Sequence, residues 1–211
     1  MENEILEQKK YILSDKPNIN IIKKLNYTDV LIIGCGSSYI CGLLGSILMK
    51  KYEHTKGNIL CVNACDFNVY DIPKNNPLAI ILSQSGETAD TFNVLKLLKK
   101  RNIKTLGCIN ALNSVIQLNS DNYIYLDIGR ENAVASTKSF VAFCLMFYKM
   151  CDIKHCITEY TLNKTFAYIY SINFSKYSKY DTIFILGNGV YYPIALEAAL
   201  KVKEISYIFA Q

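Results

Sequence analysis

Leu82-Ser83-Gln84-Ser85-Gly86-Glu87-Thr88-Ala89-Asp90-Thr91 follows directly on the apolar run Pro77-Leu78-Ala79-Ile80-Ile81. The pair reads as a buried strand that stops at a hydroxyl-rich turn and restarts as a helix. The first N–H groups of a helix have no intrahelical partner and carry the positive end of its dipole, so an anion can sit there. Ser83, Ser85 and Thr88 add hydroxyl donors, and Gly86 lets the backbone come close. A capping role for Ser85, with Glu87 or Thr88 beside it, accounts for one hydroxyl; three hydroxyls and a glutamine exceed what one cap needs. No Lys or Arg lies in the turn. Neutral donors suit the phosphate monoester of a small molecule better than a nucleic-acid backbone.

Working outward from this stretch, strand and helix alternate. A helix at about 3–13 leads past Pro17 and a short helix near 18–25 into a strand at 29–33. A helix at 38–52 and a strand near 58–62 follow. The strand 77–82 feeds the helix 88–101, which ends on Lys99-Lys100-Arg101 with Asn102 as its cap. Strands near 104–109 and 122–127 precede a long helix at about 134–151. Alternation with short connections predicts an α/β fold with a doubly wound, mostly parallel sheet flanked by helices. Ligands of such sheets bind beyond the carboxyl ends of the strands, where the 82–91 turn falls.

An internal repeat extends the pattern. Val30-Leu31-Ile32-Ile33-Gly34-Cys35-Gly36-Ser37-Ser38-Tyr39 matches Ile183-Phe184-Ile185-Leu186-Gly187-Asn188-Gly189-Val190-Tyr191-Tyr192 at an offset of 153, which also pairs Leu43 with Leu196, Ile47 with Leu200 and Lys50 with Lys203. The chain therefore divides into a helical lead-in (1–25), a first domain (26–152), and a connecting helix with the first strand-helix unit of a second copy (153–211). Such a short unit cannot build its own core, so the chain reads as truncated. The unit is expected to dock on a missing second-domain partner or in a homo-oligomer.

The 211 residues are 51% hydrophobic and 19% charged, which suits a packed core and excludes disorder. The net charge of +5 comes from scattered lysines, with no aromatic-interleaved basic stripe, so no nucleic-acid partner is expected. Eight cysteines (35, 41, 61, 65, 108, 144, 151, 156) contain no C-x-x-C; most sit in apolar runs, as small hydrophobes of a reducing compartment. His54 and His155 suggest no metal site, and no metal or cofactor is expected. The N-terminus Met1-Glu2-Asn3-Glu4 is not a secretory signal. Residues 30–49 carry no charge, but their glycines and serines split them into strand, turn and helix, so no membrane span is expected. The protein is expected in the cytoplasm.

Other candidate sites have plain alternatives. Gly34-Cys35-Gly36-Ser37-Ser38-Tyr39 resembles the start of a dinucleotide fingerprint, but Tyr39 replaces the third glycine and no acidic residue closes the next strand. Ser37 and Ser38 serve either a sugar or phosphate contact or a tight turn with a Ser cap. Glu131-Asn132-Ala133-Val134-Ala135-Ser136-Thr137-Lys138 is either a second hydroxyl-rich helix entry or, the favoured reading, a cap followed by a solvated lysine. Glu197, Lys201 and Glu204 share one helical face, as a surface ion pair or as a buried acid–base set.

Taken together, the 82–91 stretch, Val134-Ala135-Ser136-Thr137-Lys138 and Pro193-Ile194-Ala195-Leu196-Glu197-Ala198-Ala199-Leu200-Lys201-Val202-Lys203-Glu204-Ile205-Ser206-Tyr207 resemble the isomerase part of the glutamine–fructose-6-phosphate aminotransferase (glucosamine-6-phosphate synthase) family, built from two sugar-isomerase (SIS) domains. The resemblance covers about residues 25–211. It implies that Ser38, Ser83, Gln84, Ser85 and Thr88 hold the sugar phosphate. Gly36, Ser37, Val134, Ala135 and Ser136 would line the sugar. Glu204 would shuttle a proton between C1 and C2, with Lys201 assisting and Glu197 nearby. The family makes glucosamine 6-phosphate from fructose 6-phosphate, towards UDP-N-acetylglucosamine. Departures are also visible. The sequence is expected to lack the glutaminase domain, and neither histidine matches the ring-opening histidine, which the family places past Gln211 together with the tail lysine. Ala133 replaces a usual glycine, and Cys65-Asp66-Phe67 replaces a more acidic segment. Sugar-phosphate binding is expected to survive these changes and full aminotransferase chemistry is not. A non-catalytic sugar-phosphate sensor is the alternative; a stand-alone phosphosugar isomerase fits the last helix motif less well.

Overall fold

Strands whose side chains are buried on both faces belong inside a covered parallel sheet, and two runs of this chain have that character. In the computed structural model, which describes residues 1–154, 157–177 and 179–211, they are β1 (Val30–Gly34) and β3 (Leu78–Ser83), buried at every position. The other strands are β2 (Ile59–Asn63), β4 (Lys104–Ile109), β5 (Asn122–Tyr125), β6 (Thr182–Ile183) and β7 (Phe209–Ala210). The helices are α1 (Glu2–Ile12), α2 (Ser37–Lys51), α3 (Ala89–Lys100), α4 (Val115–Asn119), α5 (Lys138–Met150), α6 (Glu159–Ser171) and α7 (Tyr191–Ser206). His155 and Cys156 lie outside the described residues.

The main sheet runs β2-β1-β3-β4-β5, parallel throughout, with Val30 opposite both Ile59 and Leu78. Alternation along the strands separates two cores. Val30, Ile32, Leu78, Ile80, Leu106 and Cys108 face α2 and α5, where Leu44, Leu48, Phe143 and Phe147 meet them. Leu31, Ile33, Ala79, Ile81 and Ile109 face Val94, Leu95 and Leu98 of α3 and Ile116 of α4. The sheet is thus doubly wound. The order reverses between β1 and β3, so the turns leaving these two strands flank the crevice where such folds take ligands.

α1 belongs to the same body: Tyr11 is buried and its hydroxyl donates to the Leu126 carbonyl at 2.9 Å. Gly45 lets α2 approach α5 closely, since a Cβ there would stand 2.5 Å from the Phe147 ring. The uncharged stretch 30–49 splits into β1 and most of α2, and among the described residues no helix is long and apolar enough to cross a membrane.

The repeat has a structural counterpart. Gly36 and Gly189 take left-handed φ values of +53° and +58°, and added Cβ atoms on Gly34 and Gly187 would stand 2.8 Å from Tyr39 N and 2.3 Å from Tyr191 O. Each strand therefore turns into its helix with the same close approach. β6 is shorter than the five-residue β1 it matches and, among the described residues, pairs in parallel only with β7. With a neighbour on one side alone, hydrogen bonding continues as single contacts, such as Ile185 N to Gln211 O at 2.7 Å.

Candidate functional site

A turn that leaves a central strand must satisfy its own backbone before it can offer groups to a ligand. After β3, the buried Ser83 Oγ accepts from Gly86 N at 3.1 Å and lies 2.9 Å from Thr88 Oγ1. Ser85 Oγ accepts from Glu87 N at 3.2 Å. Gly86 adopts φ +67°, and a Cβ there would stand 2.0 Å from Ser114 Oγ, so both conformation and space require glycine. The Glu87 carboxylate turns away and accepts from Val115 N at 2.9 Å. Position Thr88, not Ser85, is the N-cap of α3, and its hydroxyl makes no capping bond to the helix. Ser85 and Thr88 therefore present hydroxyls at a helix N-terminus, with Gln84 beside them.

The second wall is residues 131–139. The Glu131 carboxylate accepts from Thr137 N (2.7 Å), Thr137 Oγ1 (3.0 Å), Ser139 N (3.2 Å) and Ser139 Oγ (2.6 Å). Behind it, buried Glu4 of α1 accepts from Asn132 N at 2.7 Å, Ala133 N at 3.2 Å and Thr137 Oγ1 at 3.1 Å. Burial works to raise the Glu4 pKa, but the donated bonds of Asn132, Thr137 and Ala133 outweigh it, leaving the carboxyl below its ordinary value. This segment is more than a cap followed by a solvated lysine. Lys138 is buried, and its Nζ reaches Glu7 at 2.6 Å and the Arg130 carbonyl at 2.8 Å.

The third wall is α7, packed on α2. Ser37 Oγ donates to Glu197 Oε1 at 2.8 Å and accepts from Lys201 Nζ at 3.0 Å, and Lys201 Nζ also reaches Glu204 Oε2 at 2.6 Å and Glu197 Oε1 at 3.3 Å. Glu204, Lys201, Ser37 and Glu197 thus form one connected chain, partly exposed at the Glu204 end and buried at the Glu197 end. Burial holds the Glu197 pKa above the usual carboxylate value, against the opposing bonds from Ser37 and Lys201, and its Oε2 is buried without a partner. Glu197, Lys201 and Glu204 therefore do not form a fully exposed surface ion pair.

Together the walls enclose a cleft of about 230 Å³ at the carboxyl end of β1 and β3. Ser37 and Ser38 enter it from the first turn, Gln84, Ser85 and Thr88 from the second, Val134 and Ser136 from the third segment, and Lys201 and Glu204 from α7. Gly36, Ser83, Ala135 and Glu197 stand behind this surface: Gly36 makes the β1–α2 turn, Ser83 braces the 83–88 turn, Ala135 is buried, and Glu197 anchors Ser37. Cys35, Glu131, Ala133 and Ser139 also line the cleft. Glu131 and Ala133 belong to a motif visible in the sequence, whereas Glu4 gave no signal, because its role depends on α1 folding back across the domain. A larger hollow of about 640 Å³, lined by residues 57–60 and 70–75 with Lys50, lies towards the amino end of β2, away from the switch point.

The SIS domain family profile matches residues 26–151. A probable glutamine–fructose-6-phosphate aminotransferase (isomerizing) of Acanthamoeba polyphaga mimivirus is 34% identical over 92% of this chain and 35% of its own length. The enzyme of that name from Aquifex aeolicus is 34% identical over 90% of this chain and 34% of its own. The chain therefore spans about a third of the length of these curated relatives. Among solved structures, the C-terminal domain of glucosamine-fructose-6-phosphate aminotransferase from Francisella tularensis superposes with a TM-score of 0.79 at 30% identity, over 100% of this chain and 68% of that one. The glucosamine-6-phosphate deaminase of Thermotoga maritima, at 24% identity and a TM-score of 0.76 over 99% of this chain and 66% of its own, shares the fold. A profile match across more than half the chain, on a doubly wound sheet with its cleft at the switch point, leaves one conclusion: the chain belongs to the SIS-domain family, and it is similar along nearly its whole length to the C-terminal domain of the glutamine–fructose-6-phosphate aminotransferases.

Proposed function

We propose that the cleft binds a hexose 6-phosphate, fructose 6-phosphate or glucosamine 6-phosphate, as the sugar-phosphate portion of an aminotransferase of this family. The observation that carries this reading is the convergence on one cleft of a neutral hydroxyl turn at a helix N-terminus with the Lys201–Glu204 pair. Ser38, Gln84, Ser85 and Thr88 take the phosphate, with Ser83 fixing their turn. Ser37, Val134 and Ser136 line the sugar, on the backbone that Gly36 and Ala135 support. The Glu204 carboxylate accepts a proton from C1 of the ketose and returns it to C2, while Lys201 stabilises negative charge developing on the neighbouring oxygen. Glu197 acts through Ser37 and Lys201 and does not touch the sugar. The protein works in the reducing cytoplasm, a placement supported by the seven free cysteines among the described residues. The unit 182–210 is completed by further parallel strands or a second copy, which its exposed Phe184, Leu186 and Tyr207 favour.

Thermal unfolding with fructose 6-phosphate tests the binding. At a ligand concentration 100-fold above Kd, binding adds roughly 2.7 kcal/mol of stability, which for a chain of this size raises Tm by about 5–10 °C. Ser85→Ala shrinks this shift at equal ligand, and no shift in either protein refutes the phosphate site. Proton transfer is tested by incubating fructose 6-phosphate in deuterium oxide. Incorporation of deuterium at sugar carbon, abolished by Glu204→Gln with the Tm shift retained, identifies the shuttle. Binding without incorporation in the unsubstituted chain establishes the non-catalytic sensor instead.

A further inference from the structure

One cluster of side chains beside the cleft has the composition of a metal-ligand set. Cys35 directly follows β1 and Cys65 stands just beyond β2. Because the two strands pair in parallel with Gly34 opposite Asn63, cysteines 30 residues apart emerge side by side. Their Sγ atoms are 4.0 Å apart. Asp90, in the first turn of α3, brings Oδ2 to 3.4 Å from Cys65 Sγ, and one ligand atom from each of the three residues lies within 4.8 Å of the other two.

We propose that Cys35, Cys65 and Asp90 bind one soft divalent cation of the zinc class, with solvent in the fourth position. Zinc bonds of about 2.3 Å to sulfur and about 2.0 Å to carboxylate oxygen, at tetrahedral angles, separate two sulfurs by about 3.8 Å and a sulfur from the oxygen by about 3.5 Å. The observed 4.0 Å and 3.4 Å need adjustments of only tenths of an ångström, and the third edge, from Cys35 to Asp90 and no longer than 4.8 Å, closes towards 3.5 Å by rotation of the exposed Asp90 side chain. A disulfide, at about 2.05 Å between sulfurs, demands a much larger closure. The donor set fits as well. Two thiolates select for zinc over magnesium or calcium, and the carboxylate makes the set trianionic once both thiol protons leave to solvent. Cys65 and Asp90 are exposed, giving the ion an open path, while Cys35 also lines the sugar cleft. The ion would therefore sit one residue ahead of the Gly36 turn. This inference stands on the cluster alone and holds whether or not the cleft takes a sugar phosphate.

The test is anaerobic titration of the reduced 211-residue chain with cobalt(II), followed by zinc. Intense visible ligand-field bands of tetrahedral cobalt, with near-ultraviolet thiolate-to-cobalt charge transfer, are expected to saturate at one ion per chain and to vanish on adding zinc. Cys65→Ser and Asp90→Asn, both exposed positions, should each weaken cobalt binding at least tenfold with unchanged circular dichroism and Tm. Cys144→Ser, in α5, should leave it unaltered. A weak octahedral spectrum without charge transfer overturns the proposal, as does a Cys65→Ser protein that retains the original bands.

Discussion

Glu4 shows how one side chain far away in sequence can set the shape of a site. Its carboxylate holds the backbone of Asn132 and Ala133 and the hydroxyl of Thr137, the segment that forms one wall of the cleft. Hydrogen bonds to a charged acceptor contribute more than those to a neutral one, so Glu4→Gln is expected to cost about 1–3 kcal/mol near neutral pH. The pH dependence has a definite sign. The native pKa of Glu4 lies below its unfolded value, so the unfolded chain binds more protons as pH falls. The stabilisation is complete above the unfolded value and disappears as pH drops through the native one. Urea unfolding of both proteins across this range should show their stability difference shrinking on acidification; a difference independent of pH would show that Glu4 contributes packing alone. Glu4 was illegible in the sequence, where an acidic first turn reads as a favourable helix dipole and nothing more. Cys65 was hidden for a related reason: ligand spacing along a chain reveals local pairs, while Cys35 and Cys65 meet through strand register.

At the level of elements, legibility followed the strength of the pattern. β1, β3 and α3 lie within a residue or two of where alternation and turn residues put them, because buried parallel strands and their hydroxyl-rich exits are distinctive in composition. α5 begins at Lys138, later than the apolar pattern near 134 suggests, because Glu131 and Glu4 hold residues 132–137 as a loop before the helix starts. α4, five residues long, has too little periodicity to announce itself, and its first free N–H is instead met by Glu87 from the neighbouring turn. The packing of α7 on α2 is reinforced by Ser37, which donates to Glu197 and accepts from Lys201. Ser37→Ala removes a donor from a buried carboxylate and is expected to destabilise by roughly 1–3 kcal/mol. Burial raises the native pKa of Glu197, so the native state binds more protons than the unfolded chain between the two values, and stability is lost as pH rises through the native one. Without the Ser37 donor that window extends to higher pH. Denaturant titrations of Ser37→Ala should accordingly show its deficit growing as pH rises from acid to neutral, and a constant deficit would place the loss in the turn rather than in Glu197.

Across the whole molecule, order is unevenly distributed, and the cleft joins its two regimes. β1, β3 and β4 are closed in by helices on both faces, whereas β6 and β7 are two residues each and leave Phe184, Leu186 and Tyr207 exposed. Opening free energies in a native protein range from near zero up to the global value, roughly 5–15 kcal/mol. Amide exchange should therefore leave Ile32, Ile80 and Leu106 protected until the whole domain unfolds, while Ile183 and Phe209 exchange orders of magnitude sooner. α7 should lie between, tied to the domain mainly through its packing on α2 and the Ser37 network. A sugar phosphate that contacts Ser85 on one wall and Lys201 and Glu204 on the other would join these regimes directly. Adding fructose 6-phosphate should then slow exchange in the last two turns of α7 more than anywhere in the main sheet, because those turns gain a link to the domain that the strands already possess. A ligand that raises Tm while leaving α7 exchange unchanged would bind through the hydroxyl turn alone, and Glu204 would have no part in handling it.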